Sequence, residues 1–144
     1  MKLYKNILVA VELDRRTDAL VIEQAKSLAK QFGSKLTLVH SVEQIGSYNA
    51  YGVGIGLEIE NMLVENSNKE IKNLGEKIGV PPKRRIVEIG SAKQVILSEA
   101  EKIKADLIVV GSHGRSGMGV ILGSTANAVL HGAKCDVLAV RLKG

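Results

Sequence analysis

The chain is poor in cysteine and lacks long apolar runs, and each shortage excludes a class of protein. Its 144 residues include one cysteine, Cys135, which cannot form an internal disulfide or a cysteine-based metal cluster. No apolar run reaches the ~18 residues needed to span a bilayer. The first residues show no signal-peptide h-region or cleavage site. We therefore expect a cytoplasmic protein that has no membrane partner.

Aromatic residues are also scarce, and this weighs against nucleic acid as a partner. The formal net charge is +5, but the basic residues are dispersed and the densest cluster is only Lys83–Arg85. A protein that binds single strands combines positive charge with aromatic side chains on which bases stack. This chain has one phenylalanine, three tyrosines and no tryptophan. We expect a solvated basic surface and no nucleic-acid partner.

What the sequence does contain is a regular alternation of strand and helix patterns. Apolar, β-branched runs predict strands at Asn6–Val11, Lys35–His40, Arg85–Ile89, Asp106–Val110 and Val137–Val140. Helical spacing of apolar residues predicts helices over Thr17–Phe32, Ile59–Ile78, Val95–Ile103 and Thr125–Gly132. Short strand–helix–strand units give right-handed crossovers and parallel pairing. We expect an α/β, doubly wound sandwich with four helices and a five-stranded parallel sheet of order 3-2-1-4-5, as one domain over residues 1–144.

Local signals mark several boundaries between these elements. Thr17 is a plausible N-cap for the first helix, and Gly33 and Gly79 follow the ends of the first two helices. Pro81 and Pro82 prevent the second helix from continuing. The glycine-containing stretch Ser41–Gly56 is predicted to be a mobile loop that could act as a lid.

The segment Gly111–Thr125 carries the strongest functional signal. It follows a buried strand, at the carboxyl end where open α/β sheets bind ligands. Glycines at 111 and 114 would let backbone amides approach a phosphate closely. Gly123 is followed by Ser124 at a predicted helix start, which offers unpaired N–H groups and a positive dipole end. The segment therefore predicts an anion-binding cradle.

The alternative interpretation of this segment is structural. Ser124 could simply cap the helix while the glycines simply turn the chain. The segment is not a Walker-type loop, because no lysine precedes Ser124. The density of glycines around a strand end and a helix start favours the phosphate site.

The whole chain resembles the universal stress proteins, of the small single-domain bacterial type. The matching segments are Ile7–Val11, Leu36–His40, Cys135–Arg141 and the Gly111-x2-Gly114 to Gly123-Ser124 pattern. Nucleotide-binding members of that family carry Gly-x2-Gly-x9-Gly-[Ser/Thr]. The resemblance implies a regulatory protein that binds ATP or AMP, with or without Mg²⁺, and has no catalytic residues.

Carried over to this sequence, the family's site has two parts. The adenosine end would be lined by Ala10, Glu12, Ser41 and Val110. The phosphates would be held by the glycine motif and its neighbours, which are Gly111, His113, Gly114, Arg115, Gly123, Ser124 and Thr125. The alternative for His113 and Arg115 is that both are solvated loop side chains. His40 and His131 are predicted to be structural.

This sequence departs from the family pattern at two places. Eight residues, rather than nine, separate Gly114 from Gly123, and flexible glycines between them could absorb the difference. The first strand is followed by Glu12 where the family has aspartate, and Asp14 could substitute for it.

The last predicted strand suggests self-association. Val137–Val140 is apolar on both faces and is expected at a sheet edge, where exposed strands invite pairing. The family dimerises through this strand, so the resemblance implies a homodimer. Two other functions stay open: a slow ATPase or self-phosphorylating protein with Ser124 as acceptor, and a nucleotide-free dimeric scaffold.

Overall fold

A five-stranded parallel sheet, ordered β3-β2-β1-β4-β5, organises the molecule. The computed structural model describes residues 3–45, 53–113 and 122–142. The strands are β1 (Asn6–Ala10), β2 (Lys35–Val42), β3 (Arg85–Ile89), β4 (Leu107–His113) and β5 (Asp136–Leu142). The helices are α1 (Arg15–Phe32), α2 (Val53–Ile78), α3 (Ala92–Lys102) and α4 (Ser124–Gly132). The predicted doubly wound α/β fold and its strand order are confirmed.

Alternating side chains of the sheet enter two separate cores. Ile7 and Val9 of β1 pack on the face covered by α1 and α2, with Val21 and Ile71. Leu8, between them in the chain, packs on the opposite face with residues of α3 and α4. Both faces of the sheet are buried, which explains why the central strands read as continuous apolar runs.

Helix α1 begins two residues earlier than the sequence suggested. The Asp14 carboxylate accepts a hydrogen bond from the Arg16 amide at 2.9 Å, and Asp14 is the N-cap. Thr17 lies within the first turn, where its hydroxyl donates to the Asp14 carbonyl. The prediction of Thr17 as N-cap is therefore wrong, because an acceptor three residues earlier caps the helix. The predicted helix end at Gly33 is confirmed, with φ at +67°.

Several other boundaries differ from the predicted ones. The stretch Ser41–Gly56 was expected to be a loop, but β2 continues through Val42 and α2 already begins at Val53. Residues 46–52 of that stretch lie outside the described part of the chain. Helix α3 begins at Ala92 because the Ser91 hydroxyl accepts a hydrogen bond from the Gln94 amide.

Two remaining sequence expectations concern Cys135 and the membrane. Cys135 is half-buried and packs against the second core, as expected of a small apolar side chain. None of the described helices combines the length and the apolar character that crossing a bilayer requires. The cytoplasmic location stays a prediction.

Replacing Gly33 and Gly54 with alanine should change stability in opposite directions. A Cβ added to either glycine would meet no neighbouring side chain or distant backbone atom within 4 Å, so only backbone preference differs between them. Gly33→Ala should cost about 1 kcal/mol because its positive φ disfavours a side chain. Gly54→Ala, in helix α2, should raise stability by up to about 1 kcal/mol. Urea unfolding measures both, and a loss of stability in both variants would contradict the assigned conformations.

Candidate functional site

A cleft opens where the two central strands part. The pairing of β1 with β4 covers Ile7–Val9 and Leu107–Val109 only. On its other side β1 stays with β2, and the Val11 amide still donates to the Val39 carbonyl at 2.9 Å. The order of strands along the chain reverses between β1 and β4, which is where open α/β sheets bind ligands. The cleft has a volume of about 510 Å³.

The cleft collects the predicted site residues that the structure describes. Those that line it are Ala10, Glu12, Ser41, Val110, Gly111, His113, Gly123, Ser124 and Thr125. The two other predicted residues, Gly114 and Arg115, lie outside the described part of the chain. Residues from β1, β2, β4 and the start of α4 thus meet at one edge of the sheet, although the chain separates them by more than a hundred positions.

The end of β4 is fastened directly to the start of α4. The Ser112 hydroxyl, which is buried, accepts a hydrogen bond from the Gly123 amide at 3.0 Å. A Cβ on Gly123 would lie 2.9 Å from the His113 amide nitrogen, so a side chain at position 123 would push the helix away. This junction holds the start of α4 against the end of β4.

The start of α4 presents free backbone donors to the cleft. Gly123 is the N-cap and has no side chain that could accept a hydrogen bond from the first turn. Ser124, Thr125 and Ala126 follow it and line the cleft. The N–H groups of a first helical turn have no intrahelical acceptor and form the positive end of the helix dipole. Ser124 occupies the first helical position, so the alternative in which it caps the helix is wrong.

Gly111 is part of a strand and is paired with a neighbouring strand. It lies within β4, opposite Val140 of β5, so the alternative in which this glycine turns the chain is wrong. The ladder with β5 continues as far as His113 and Leu142 and keeps this stretch extended. A Cβ on Gly111 would lie 2.9 Å from Leu142 and 3.2 Å from Val21. The absence of a side chain therefore permits close packing behind the cleft.

The turn after β1 is held by a buried carboxylate that the sequence reasoning missed. The two Asp18 carboxylate oxygens accept hydrogen bonds from the Glu12 and Leu13 amides, both at 2.8 Å. Burial raises the pKa of Asp18, and these amide hydrogen bonds oppose the rise. Leu13 has φ at +62°, an unfavourable backbone conformation that these two hydrogen bonds stabilise. A carboxylate eight residues beyond the end of β1 was the available signal. Asp14, the proposed substitute for Glu12, is engaged as the α1 cap.

Glu12 and His113 meet across the cleft mouth. The His113 Nε2 atom lies 3.1 Å and 3.3 Å from the two carboxylate oxygens of Glu12. A carboxylate can only accept, so Nε2 carries the hydrogen in this contact. The pair links the chain after β1 to the end of β4, and both side chains are more than half exposed.

His40 is another cleft residue whose position the sequence did not predict. Its Nδ1 donates to the Val11 carbonyl at 2.8 Å, which supports the expected structural role, but the ring also lines the cleft. Ala92 and Ile96 of α3 are apolar residues that also line the cleft, and the sequence analysis did not predict them as site residues.

The charged groups of the cleft are mostly acidic. Glu12, Asp18 and Glu43 line it, and no lysine or arginine does so within the part of the chain that the structure describes. Among these described lining residues, the groups that could hold an anion are backbone amides, hydroxyls and histidine. No described group of three or more acidic, histidine or cysteine residues is arranged to hold a metal ion.

Comparison with known proteins places this architecture in a family. The model of the universal stress protein family matches residues 3–141. The chain belongs to the universal stress protein family. Universal stress protein A homolog 2 of Coxiella burnetii is 49% identical over 98% of this chain and 97% of its own length.

Two solved structures share the fold at lower sequence identity. UspA of Lactobacillus plantarum is 21% identical, with a TM-score of 0.80 over 98% of this chain and 100% of its own. A universal stress protein in complex with cAMP is 20% identical, with a TM-score of 0.61 over 99% of this chain and 100% of its own. At these identities the likeness shows the fold alone.

Replacing Asp18 with asparagine should loosen the turn after β1. Asparagine would place an NH₂ group against one of the two donor amides, where Asp18 presents an oxygen whether or not it is ionised, so Asp18→Asn should cost about 1–3 kcal/mol. The folded state keeps a proton on Asp18 at pH values above 3.8 at which the unfolded state has lost it. The stability advantage of the wild type over the variant should therefore be largest below pH 3.8 and should fall as pH rises through the raised pKa. Urea unfolding of both proteins across pH measures this, and an advantage that grows with pH would contradict a raised pKa.

Proposed function

We propose that this universal stress protein binds an adenine nucleotide, ATP or AMP, in the cleft between β1 and β4 and acts as a nucleotide-dependent regulatory protein. The observation that carries the proposal is the start of α4, whose first-turn amides are uncapped and line a cleft at the strand-order reversal. The volume of about 510 Å³ is within the range of small-molecule sites.

The two parts of the cleft suit the two parts of a nucleotide. The phosphate would be held by Ser124, Thr125 and the adjoining amides of α4. The adenosine would lie toward Ala10, Ser41 and Val110, where side chains are small or apolar. The related structure in complex with cAMP shows that this fold can hold an adenine nucleotide, and it supports the same class of ligand here.

The acidic lining bears on how many phosphates the cleft accepts. Each additional phosphate adds negative charge beside Glu12 and Glu43. ATP would therefore enter with Mg²⁺, which phosphate oxygens and one or two carboxylates commonly hold together. AMP needs no metal ion to bind at the amides of α4.

A link between ligand and assembly follows from the position of β5. This strand is at the sheet edge, and its Leu142 also lines the cleft. We propose that β5 pairs with a second copy of the chain through Val137–Val140, because an edge strand carries unpaired backbone groups. A ligand that contacts Leu142 could then favour one arrangement of the dimer.

A carboxylate at position 124 should separate nucleotide binding from helix stability. Ser124→Asp adds negative charge at the α4 start, which should stabilise the helix by about 0.3–1 kcal/mol. The same charge should repel phosphate and weaken AMP and ATP binding at least tenfold in calorimetric titration. Asn127→Asp is the matched control, since Asn127 is exposed on α4 and does not line the cleft. Equal affinities in both variants would place the nucleotide elsewhere.

A charge on β5 should disrupt the dimer. Ala139→Glu places a carboxylate in the half-buried edge strand, and sedimentation velocity should show a monomer. Ile89→Glu makes a similar change on β3, at the opposite edge, and should leave the dimer intact. A monomeric wild type, or a dimer that only Ile89→Glu disrupts, would be incompatible with pairing through β5.

A further inference from the structure

We propose that His113 binds the ligand's phosphate as an imidazolium shared between that phosphate and Glu12, so that a phosphorylated ligand binds together with a proton and an unphosphorylated one does not. The inference rests on the proposed function, since it concerns the phosphate part of the same cleft.

The contact with Glu12 determines what the second ring nitrogen can do. Nε2 donates its hydrogen to the Glu12 carboxylate, so Nδ1 of a neutral ring is left with a lone pair. A phosphate oxygen is also an acceptor, and two acceptors repel each other. Protonation turns Nδ1 into a second donor and adds positive charge. His113 can therefore favour a phosphate without releasing Glu12 only after it takes up a proton from solvent.

The backbone places His113 beside the phosphate part of the cleft. It is the last residue of β4, and its amide nitrogen lies 2.9 Å from the Cβ position of Gly123, the cap of α4. The backbone of Glu12 is held as well, because its amide donates to the Asp18 carboxylate. The two side chains are 56% and 57% exposed, so a ligand and solvent protons can reach the ring while its contact with Glu12 stays in place.

The other titratable groups described in the cleft lining do not supply the same charge. Among the described lining residues only His113 and His40 can become cations near neutral pH. His40 lies on β2, and its Nδ1 is engaged by the Val11 carbonyl. Asp18 and Glu43 are acidic. On β5 the nearest charged residue is Arg141, which is opposite Ser112 in the sheet and does not line the cleft.

Calorimetric titration with AMP and with adenosine measures the proton directly. At pH 7.5, in two buffers of different ionisation enthalpy, AMP should take up close to one proton and adenosine none. An AMP phosphate, with a second pKa of about 6, is already mostly a dianion there, so proton uptake reports on the protein and not on the ligand. AMP affinity should fall between pH 7.5 and 8.5 by up to tenfold, while adenosine affinity stays constant.

Three variants assign the proton to His113. His113→Gln keeps a donor for Glu12 but cannot ionise, so AMP should bind more weakly and without proton uptake. Glu12→Gln removes the charge that helps to hold the imidazolium, and uptake should decrease. His131→Gln is the control, since His131 is exposed on α4 and away from the cleft lining, and it should behave as wild type. In the wild-type AMP complex, ¹⁵N spectra should show both His113 ring nitrogens protonated.

The outcomes distinguish this inference from the proposed function. If AMP binds the wild type without proton uptake, or if His113→Gln retains the full uptake, the role of His113 is overturned and the nucleotide site stands. If the wild type binds neither AMP nor adenosine, the nucleotide site is overturned and the role of His113 with it.

Discussion

The hydrogen bond from the Gly123 amide to the buried Ser112 hydroxyl is the contact on which the rest of the site depends. It brings the first turn of α4 to the end of β4, and the close approach of Gly123 to His113 leaves no room for a side chain at the cap. A glycine cap in turn leaves the first-turn amides open toward the cleft. One junction therefore sets the position of the helix, the identity of its cap and the donors available to an anion.

The cleft combines this neutral cradle with acidic side chains. Fixed backbone amides can hold an anion by themselves. Glu12 in place of the family's aspartate has a longer side chain, and here it reaches His113 across the mouth. The two side chains form a carboxylate–imidazole pair.

Much of the fold could be predicted from the sequence because local rules and tertiary packing agree. Gly33 and Gly79 end helices at positive φ, and the apolar runs of β1 and β4 match a sheet that is covered on both faces. The α1 cap could not be predicted with the same success, since Asp14 and Thr17 are both good caps and neighbouring contacts decide between them. The extended conformation of Gly111 depends on a ladder with β5, which is distant in sequence.

In the candidate site, too, local sequence motifs could be predicted, whereas contacts between residues distant in sequence could not. Glycines and a hydroxyl at a predicted helix start can be recognised in the sequence. The site residues predicted from them line one cleft, as far as the structure describes them. The hydrogen bonds from the Glu12 and Leu13 amides to Asp18, and the contact between Glu12 and His113, could not be predicted from local sequence patterns. Glu12 and His113 are 101 positions apart, and only the sheet order makes them neighbours.

We propose that the opening turn of α4 is the phosphate site. A ¹H–¹⁵N spectrum of the assigned protein during titration with AMP tests this most directly. The amides of Ser124, Thr125 and Ala126 should show the largest shifts, as expected when backbone donors bind a phosphate. Shifts concentrated instead in the groove between α1 and α2, around Ile22 and Leu74, with the amides of α4 unmoved, would contradict it.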